Sequence, residues 1–441
     1  MRNTFLNTYF CGVNRVKKRI EITDLAVAKK NLLVHYKTEK QLLWLDSNGH
    51  EDAYSSYEAL LGVGAAKSIS SQENGAFDAL SNFRKESGDW LLGYLSYDLK
   101  NDLEDLSSHN TDRLAFAPLY FFQPKKLFLF FQGYLEMHYL PEVADDLEKD
   151  AQLFSEETEE NQDISNVLKI EAALTKVEYC QRVGEMQGLI HRGEIYEANF
   201  CQEFYAKGKL QPLPTFLKFN DISRAPFAAY FRSDQQYLLC TSPERYLNKK
   251  GTKVISQPIK GTSRRNADAE LDRILRDALE KNPKERAENI MITDLVRNDL
   301  SRTANKGSVT VENLCEPKTY KQVHQLVTTV TADVNAKIDP IKLLRTTFPM
   351  GSMTGAPKVS AMQIIEKLET TKRGLYSGAV GYIDPGGDFD FNVVIRSILY
   401  DAVREQISFM VGSAITAKAS AEQEYDECFV KAWAMYEVLC S

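Results

Sequence analysis

The chain has 441 residues, which is long for a single compact core and predicts two domains or one large layered fold. With 43% hydrophobic and 26% charged residues, its composition is that of an ordinary globular enzyme and excludes collagen-like and disordered classes. A formal net charge of −7, without a large cluster of lysine and arginine, argues against nucleic-acid and membrane partners. An anionic substrate would therefore need a local region of positive charge.

Apolar runs and cysteines bear on the location of the protein. The longest fully apolar aromatic-rich run, Leu127 to Phe131, is too short to span a bilayer, and the N-terminus lacks the apolar core of a signal peptide. The seven cysteines are scattered and form no CxxC motif. These patterns predict reduced thiols, no zinc site and a cytoplasmic location.

The first part of the chain mixes short β-type runs, "LLVHY", "LLWLDS" and "KLFLFFQGYLEMHYL", with a few helical stretches. Residues 142–166 are acidic and polar, and they predict a solvated helix or a connection between two parts of the fold.

From Ile170 the pattern changes to a helix followed by strands. The helix places four apolar residues on one face: Tyr179, Val183, Met186 and Ile190. Strands are predicted at "FAAYFRS", "QYLLCTS" and "KVISQPI", followed by a long amphipathic stretch from Ala269 to Asp299. Further β segments precede a last helix from Ala421 to Cys440. This grouping predicts an α+β layered fold with antiparallel strands rather than regular βαβ units.

Two glycine motifs invite a phosphate-binding interpretation, and neither fits it. "GVGAAK", from Gly62 to Lys67, lacks the third glycine of a dinucleotide fingerprint and follows helix-like sequence. "GSMTGAPK", from Gly351 to Lys358, lacks the ending of a Walker loop, but it enters a helix with Pro357 suited to the first helical position. That helix start is either an ordinary one or a cradle for a carboxylate group.

Two helical segments carry paired carboxylates, Glu285 with Glu288 and Glu424 with Glu427. Glutamates at this spacing are common on solvated helix faces. Glu288, however, adjoins the apolar stretch "NIMITDLV", and an unpaired buried carboxylate is costly. If the two faces meet, their oxygens would suit Mg²⁺.

Lys260 ends the strand-like run of "QPIKGTSRR", just before two arginines. It is either a surface charge or a nucleophile. If the loop faced a pocket, the cationic neighbours Arg264 and Arg265 would lower the pKa of the lysine and leave more of it as a free amine.

Within the stretch from about Val177 to Met435, eight motifs occur in a fixed order: "GEIYEANFCQEF", "TSPERYL", "PIKGT", "ERAENIMITDLVRNDLSR", "VHQLVTTVTADV", "FPMGSMTGAPKVSAMQIIEKLE", "RGLYSGAVGYID" and "EYDECFVKAW". Together with "WLLGYLSYDL" near Trp90 they resemble the chorismate-utilising enzymes. The resemblance implies an α/β (α+β) fold of the anthranilate synthase large-subunit type, with two antiparallel β-sheets packed as a sandwich and helices outside. It also implies two parts, an N-terminal part of the sandwich with the acidic connection (1–165) and a chorismate-binding catalytic part (166–441).

The resemblance assigns roles to matching positions. Glu288 and Glu427 match direct Mg²⁺ ligands, and Glu285 and Glu424 match ligands acting through water. Glu244 matches the general acid that protonates the departing 4-hydroxyl of chorismate. The remaining matches hold the substrate carboxylates or complete the pocket: Tyr376, Arg396, Lys431, Ser352, Gly412, Ser413 and Ala414. An acid at the leaving oxygen and an electrophile at the ring carboxylate are what this elimination needs.

Three positions distinguish the branches of the family. Glu197 stands where water-adding members have a lysine base, which argues against isochorismate and salicylate synthesis. Lys260 stands where anthranilate synthases have alanine and where aminodeoxychorismate synthases have a nucleophilic lysine. Gln325 stands where the family commonly has histidine, with His324 beside it.

The resemblance therefore implies the activity of aminodeoxychorismate synthase component I, which converts chorismate and ammonia into 4-amino-4-deoxychorismate for p-aminobenzoate and folate synthesis. A separate glutamine amidotransferase subunit is expected as the ammonia source, because no glutaminase motif stands in the sequence. The alternatives are an anthranilate synthase large subunit and a catalytically silent homologue acting as a binding subunit.

Overall fold

The structure is a computed structural model that describes residues 13–71, 74–154, 168–321 and 323–440. Its α-helices are α1 (Leu25–His35), α2 (Ala76–Ser87), α3 (Leu147–Asp150), α4 (Lys176–His191), α5 (Pro212–Ser223), α6 (Ala269–Lys281), α7 (Pro283–Ser301), α8 (Pro340–Thr347), α9 (Lys358–Leu368) and α10 (Ala421–Leu439). None of these described helices combines the length and the hydrophobicity that a bilayer crossing requires.

The strands are β1 (Val16–Glu21), β2 (Gln41–Asp46), β3 (Ala59–Ser71), β4 (Leu91–Leu95), β5 (Leu119–Phe131), β6 (Tyr134–Tyr139), β7 (Glu171–Ala172), β8 (Glu197–Lys207), β9 (Phe227–Ser233), β10 (Gln236–Ser242), β11 (Arg245–Lys250), β12 (Lys253–Gln257), β13 (Ile259–Arg264), β14 (Thr310–Thr319), β15 (Val323–Asp333), β16 (Gly355–Ala356), β17 (Ala379–Ile383), β18 (Phe389–Val393), β19 (Ser397–Asp401) and β20 (Gln406–Ile415).

The strands form two antiparallel halves that share the long strands β3 and β5. One half runs β1-β6-β5-β3-β2-β9-β10-β19-β20-β8. The other runs β3-β5-β4-β17-β18-β11-β12-β15, with β13 and β14 also paired to β15. Residues 119–122 of β5 pair with β4 and residues 126–131 pair with β6, so this strand passes from one half to the other.

Side-chain alternation along the strands defines the layers. In β2, Leu42 and Trp44 belong to a core covered by α1, α4, α5, α9 and α10, whereas Leu43 points into a core built mainly from strand residues. That strand core also receives Leu92 from β4 and Val380 from β17. A third core packs α2, α7 and α8 on the second half. Helices therefore cover the outer faces of a β-sandwich, and the predicted fold class is confirmed.

Two local predictions were wrong, and both concern short apolar runs. "LLVHY" was expected as a strand, but it ends α1, which begins at the N-cap Asp24 and buries Leu32 and Leu33. "GVGAAK" lies within β3 rather than after a helix. A short apolar run cannot be assigned to helix or strand by periodicity alone. The amphipathic stretch from Ala269 forms two helices, because Asn282 ends α6 and caps α7.

The acidic connection is described only in part. Residues 141–154 form 3₁₀ turns around the short helix α3. The rest of the connection, residues 155–166, lies outside the described residues, and so does the predicted boundary between residues 165 and 166. That boundary stays a prediction.

Candidate active site

A cavity of about 220 Å³ lies where α7 and α10 face β13, β20 and the turn before β11. The residues that line it include almost every predicted site residue: Glu244, Lys260, Glu285, Glu288, Ser352, Tyr376, Arg396, Gly412, Ala414, Glu424, Glu427 and Lys431. Ser413 lies just behind this surface, where its hydroxyl is 3.4 Å from Nζ of Lys431. The structure thus brings the predicted positions together, while their chemical roles stay predictions.

One part of the cavity lining, here named the carboxylate wall, consists of Glu285, Glu288, Glu424 and Glu427. These residues come from two capped helices, α7 and α10. The Asn282 side chain accepts hydrogen bonds from the backbone of Lys284 and Glu285, and Pro283 occupies the first turn of α7. Ser420 caps α10 in the same way by accepting from Gln423. Glu288 and Glu424 are 9% and 5% exposed, so one carboxylate of each pair is buried, whereas the side chain of Glu427 is 45% exposed.

Burial dominates the protonation of this wall. It raises the pKa of Glu288 to about 7, and it also raises the pKa of Glu285 and of Glu424. Glu427 is the exception: the Lys431 ammonium, 2.7 Å away, outweighs burial and lowers the pKa of this carboxyl. The Oε1 atom of Glu288 is buried without a hydrogen-bond partner among the described residues. Converging carboxylates of this kind are ionised together only when cations lie among them.

The donor set has the chemistry that Mg²⁺ prefers, namely carboxylate oxygens with room for water and a ligand. In the described ranges, no three His, Cys, Asp or Glu side chains stand close enough to hold a metal ion as placed. The ammonium of Lys284 lies there instead, 3.9 Å from Glu288 and 3.7 Å from Glu424. The donor types therefore suit a divalent cation, whereas the described side chains as placed do not enclose one.

Positive charge also lines the cavity, next to Glu427 of the carboxylate wall. Arg396 donates to the backbone carbonyl of Lys431 at 2.6 Å, and Lys431 donates to the carbonyl of Gly412 at 2.9 Å. Burial lowers the pKa of Arg396 and raises that of Tyr376 well above its usual value. The two cations form the local region of positive charge that an anionic substrate requires in this acidic protein.

Glu244 is held at the turn between β10 and β11. Its backbone N–H donates to the Ser242 hydroxyl at 3.2 Å, and its carbonyl accepts from Val393 at 3.0 Å. Burial raises the pKa of its carboxyl to about 7, against the hydrogen bond from Ser352 and the charge of Lys260. Glu244, which is only 4% exposed, can thus still carry a proton near neutral pH, as a general acid must.

Lys260 enters the cavity from β13, and its surroundings correct the predicted pKa shift. Burial favours the neutral amine, but the carboxylates of Glu197 and Glu288 outweigh burial and raise the pKa of Lys260. The prediction that arginines would lower it was wrong, because neither Arg264 nor Arg265 lines the cavity. Arg265 instead pairs with Asp272 at 2.9 Å.

Two ambiguous positions are also placed. Gln325 lines the cavity, whereas His324 turns away and lies 3.0 Å from Asp272. In "GSMTGAPK", Ser352 and Met353 face the cavity, while Pro357 is the N-cap of α9 rather than its first residue.

Sequence reasoning missed two features of the site. One is the presence of Lys284, and the other is the pairing of Glu197 with Lys260. Lys284 adjoins a recognised motif and Glu197 lies within one, but only the approach of separate elements makes them neighbours of the cavity. Taken together, the cations, the acid and the four carboxylates define an enzyme site for a small anionic substrate.

Comparison with known proteins agrees with this class. A family model described as chorismate binding enzyme matches residues 39–437, and the chain therefore belongs to this family. Aminodeoxychorismate synthase component 1 of Bacillus subtilis is 31% identical over 360 residues, which cover 79% of this chain and 76% of that protein.

The same protein of Klebsiella aerogenes is 39% identical over 260 residues, 59% of this chain; the match spans 57% of the relative's own length. Among solved structures, anthranilate synthase component I of Streptococcus pneumoniae has a TM-score of 0.75 at 22% identity, covering 88% of this chain and 94% of that one. The structural likeness establishes the fold.

Proposed function

We propose that this chain is the chorismate-aminating component of an aminodeoxychorismate synthase, acting in the cytoplasm with Mg²⁺. The observation that carries the proposal is Lys260, which faces the same cavity as the buried acid Glu244. Its position distinguishes this branch from anthranilate synthases, whose motif has alanine there. The names of the relatives from Klebsiella aerogenes and Bacillus subtilis support the same assignment.

Substrate binding follows from the charges of the cavity. Arg396 and Lys431 would hold carboxylates of chorismate, and the backbone around Gly412 would form the floor beneath them. Glu288 and Glu427 would hold Mg²⁺ directly, and Glu285 and Glu424 through water. Bound there, the ion would draw electron density from the ring carboxylate.

Amination then proceeds in two displacements. The Nζ atom of Lys260 bonds to C2 of chorismate, the ring double bonds shift, and the C4–O bond breaks as Glu244 protonates the oxygen, which leaves as water. Ammonia next bonds to C4, the double bonds shift back, and the C2–Nζ bond breaks to release Lys260. The new ammonium group returns a proton to Glu244, which restores the acid.

A separate glutaminase subunit would supply the ammonia. The name component 1, carried by the relatives from Klebsiella aerogenes and Bacillus subtilis, supports a second component. Ammonia in neutral water is almost wholly protonated and not nucleophilic, so direct delivery of NH₃ to the cavity would be an advantage.

The test is to incubate the protein with chorismate, Mg²⁺ and ammonium and to identify the product by mass and fluorescence. Aminodeoxychorismate is expected, and anthranilate would replace the proposal with the runner-up activity. Without ammonia, Lys260 should gain the mass of chorismate less water, and Lys260→Ala should abolish that gain while chorismate binding persists. If neither aminodeoxychorismate nor anthranilate forms, the alternative of a catalytically silent homologue would stand.

A further inference from the structure

Glu197 begins β8 and is 1% exposed, and it meets Lys260 behind the cavity surface. Its Oε1 atom lies 3.0 Å from Nζ of Lys260, whose side chain is only 11% exposed. Neither carboxylate oxygen of Glu197 has another partner among the described residues. Among the described residues, this buried carboxylate therefore pairs with Lys260 alone.

The proposed nucleophile needs such a neighbour. An ammonium group has no lone pair and cannot attack carbon, so Lys260 must lose a proton before it reacts. The carboxylates whose charges act on Lys260 are those of Glu197, Glu288, Glu244 and Glu285. Glu244 must itself carry a proton for the departing hydroxyl, and Glu288 and Glu285 belong to the carboxylate wall with Lys284. Among the described carboxylates, Glu197 is the one in ion-pair contact with Nζ of Lys260, and it is therefore placed to accept the proton.

We propose that Glu197 takes the proton from Lys260 as the lysine attacks and returns it when the lysine is released; this inference rests on the proposed function. One proton moves from Nζ to Oε1, and the freed electron pair forms the bond between Nζ and C2. When ammonia later displaces the lysine as a neutral amine, the carboxylic acid of Glu197 gives the proton back. No other reactant is needed, and each cycle ends with the initial ion pair.

Burial makes this transfer feasible. Two charges removed from water carry a large desolvation penalty, and moving one proton across a 3.0 Å contact neutralises both. The charged pair is the resting state, since the surrounding carboxylates raise the pKa of Lys260. The neutral pair is then a short-lived state reached on attack.

The variant Glu197→Gln distinguishes proton transfer from a purely electrostatic role of Glu197, because the two roles predict opposite changes in the rate of attack by Lys260. If Glu197 only holds Lys260 as ammonium, Glu197→Gln removes a negative charge, frees more amine and accelerates attack near neutral pH. If Glu197 accepts the proton, the amide cannot replace it, and attack must wait for deprotonation by solvent.

The experiment measures, by mass spectrometry, the rate of adduct formation on Lys260 with chorismate and Mg²⁺ but no ammonia, between pH 6.5 and 9. At pH 7 the Glu197→Gln rate should be about 10²-fold below the parent rate, and the ratio of variant rate to parent rate should then rise about tenfold per pH unit, because the loss of the Glu244 proton above about pH 7 slows both proteins alike. Glu203→Gln removes another buried carboxylate of β8, one that lies outside the cavity, and should leave the rate unchanged.

Glu197→Asp, which retains a carboxylate, should keep the parent pH profile at a reduced rate, and it replaces the glutamine variant if that protein does not fold. Adduct formation by Glu197→Gln at the parent rate or faster at pH 7 would overturn the inference and leave the proposed function standing. If the parent protein forms aminodeoxychorismate but no adduct on Lys260, the covalent step and this inference both fall.

Discussion

The Lys284 ammonium of α7 lies 3.7 Å from a carboxylate oxygen of Glu424 on α10. The same ammonium is 3.9 Å from Glu288, so one half-exposed side chain bridges the two carboxylate helices. Carboxylates that a metal ion would share are thus partly neutralised by a cation of the chain itself. A metal ion that binds there must displace that ammonium.

Replacing Lys284 with methionine should therefore tighten Mg²⁺ binding, by about threefold to tenfold, because the competing charge is lost. Titration calorimetry on the protein without chorismate measures this directly. Lys281→Met, at the exposed end of α6, should change nothing. Unchanged affinity in Lys284→Met would mean that the ammonium does not compete for the site.

Removing a carboxylate from the wall should have the opposite effect and weaken Mg²⁺ binding. Glu288→Gln and Glu427→Gln should lower Mg²⁺ affinity and Mg²⁺-dependent amination by at least tenfold, while circular dichroism shows an unchanged fold. The fold should persist because removing one of several crowded carboxylates relieves repulsion. Full activity of either variant, or of the parent protein in EDTA, would contradict the assignment of the carboxylate wall to a metal.

Gly261, directly after Lys260, has a φ of +90°, and a Cβ atom there would lie 3.0 Å from Oε2 of Glu285. Gly261→Ala should thus combine backbone strain of about 1–2 kcal/mol with displacement of Glu285. Gly251→Ala provides a matched control, with a φ of +62° and open space around the new methyl group. Both variants should lose thermal stability, and only Gly261→Ala should lose Mg²⁺ affinity.

How far the sequence predicted this site depends on the distance over which each interaction acts. Local sequence patterns were enough to predict helices α4, α7 and α10. The family resemblance carried by the ordered motifs implied that Glu244 and Lys260 share one pocket. The sign of the pKa shift of Lys260 was missed, because its partners Glu197 and Glu288 come from other elements. Charged residues close to Lys260 in the sequence do not share its surroundings in the fold: Arg265 donates to Asp272 instead.

Glu244 should make the stability of the fold depend on pH. Its carboxyl pKa rises from 4.5 to about 7 on folding, so the native state binds this proton more tightly than the unfolded state. The resulting stabilisation is full below about pH 4.5 and is lost as the pH rises through 7. Glu244→Gln, which stays neutral, should exceed the parent stability by up to about 3 kcal/mol at pH 8 and by much less at pH 5.

Thermal unfolding at the two pH values measures this difference. Glu86→Gln, at an exposed position of α2, should show the same small effect at both. A gain for Glu244→Gln that does not grow between pH 5 and pH 8 would contradict the buried neutral acid. The same variant should lose about 10²–10⁴-fold in amination, because an amide cannot donate the proton.

The ammonia source should appear in the pH profile as well. With ammonium salts the rate needs free NH₃, which increases with pH, and protonated Glu244, which is lost above about pH 7. The ammonium-driven rate should therefore pass through a maximum, whereas glutamine should support amination at neutral pH only with an added glutaminase subunit. Product formation from glutamine by the chain alone would disprove the need for a second subunit.

The shared strand β5 bears on how the molecule can be divided. Its two ends pair with β4 and β6, and β2 and β4 from the N-terminal part lie against β9 and β17 from the C-terminal part. A C-terminal fragment made alone would expose unpaired strand edges on β9 and β17 and should aggregate. Two fragments cut within the acidic connection and produced together should instead find each other through those edges. The chain would then behave as a split enzyme whose activity reports on reassembly.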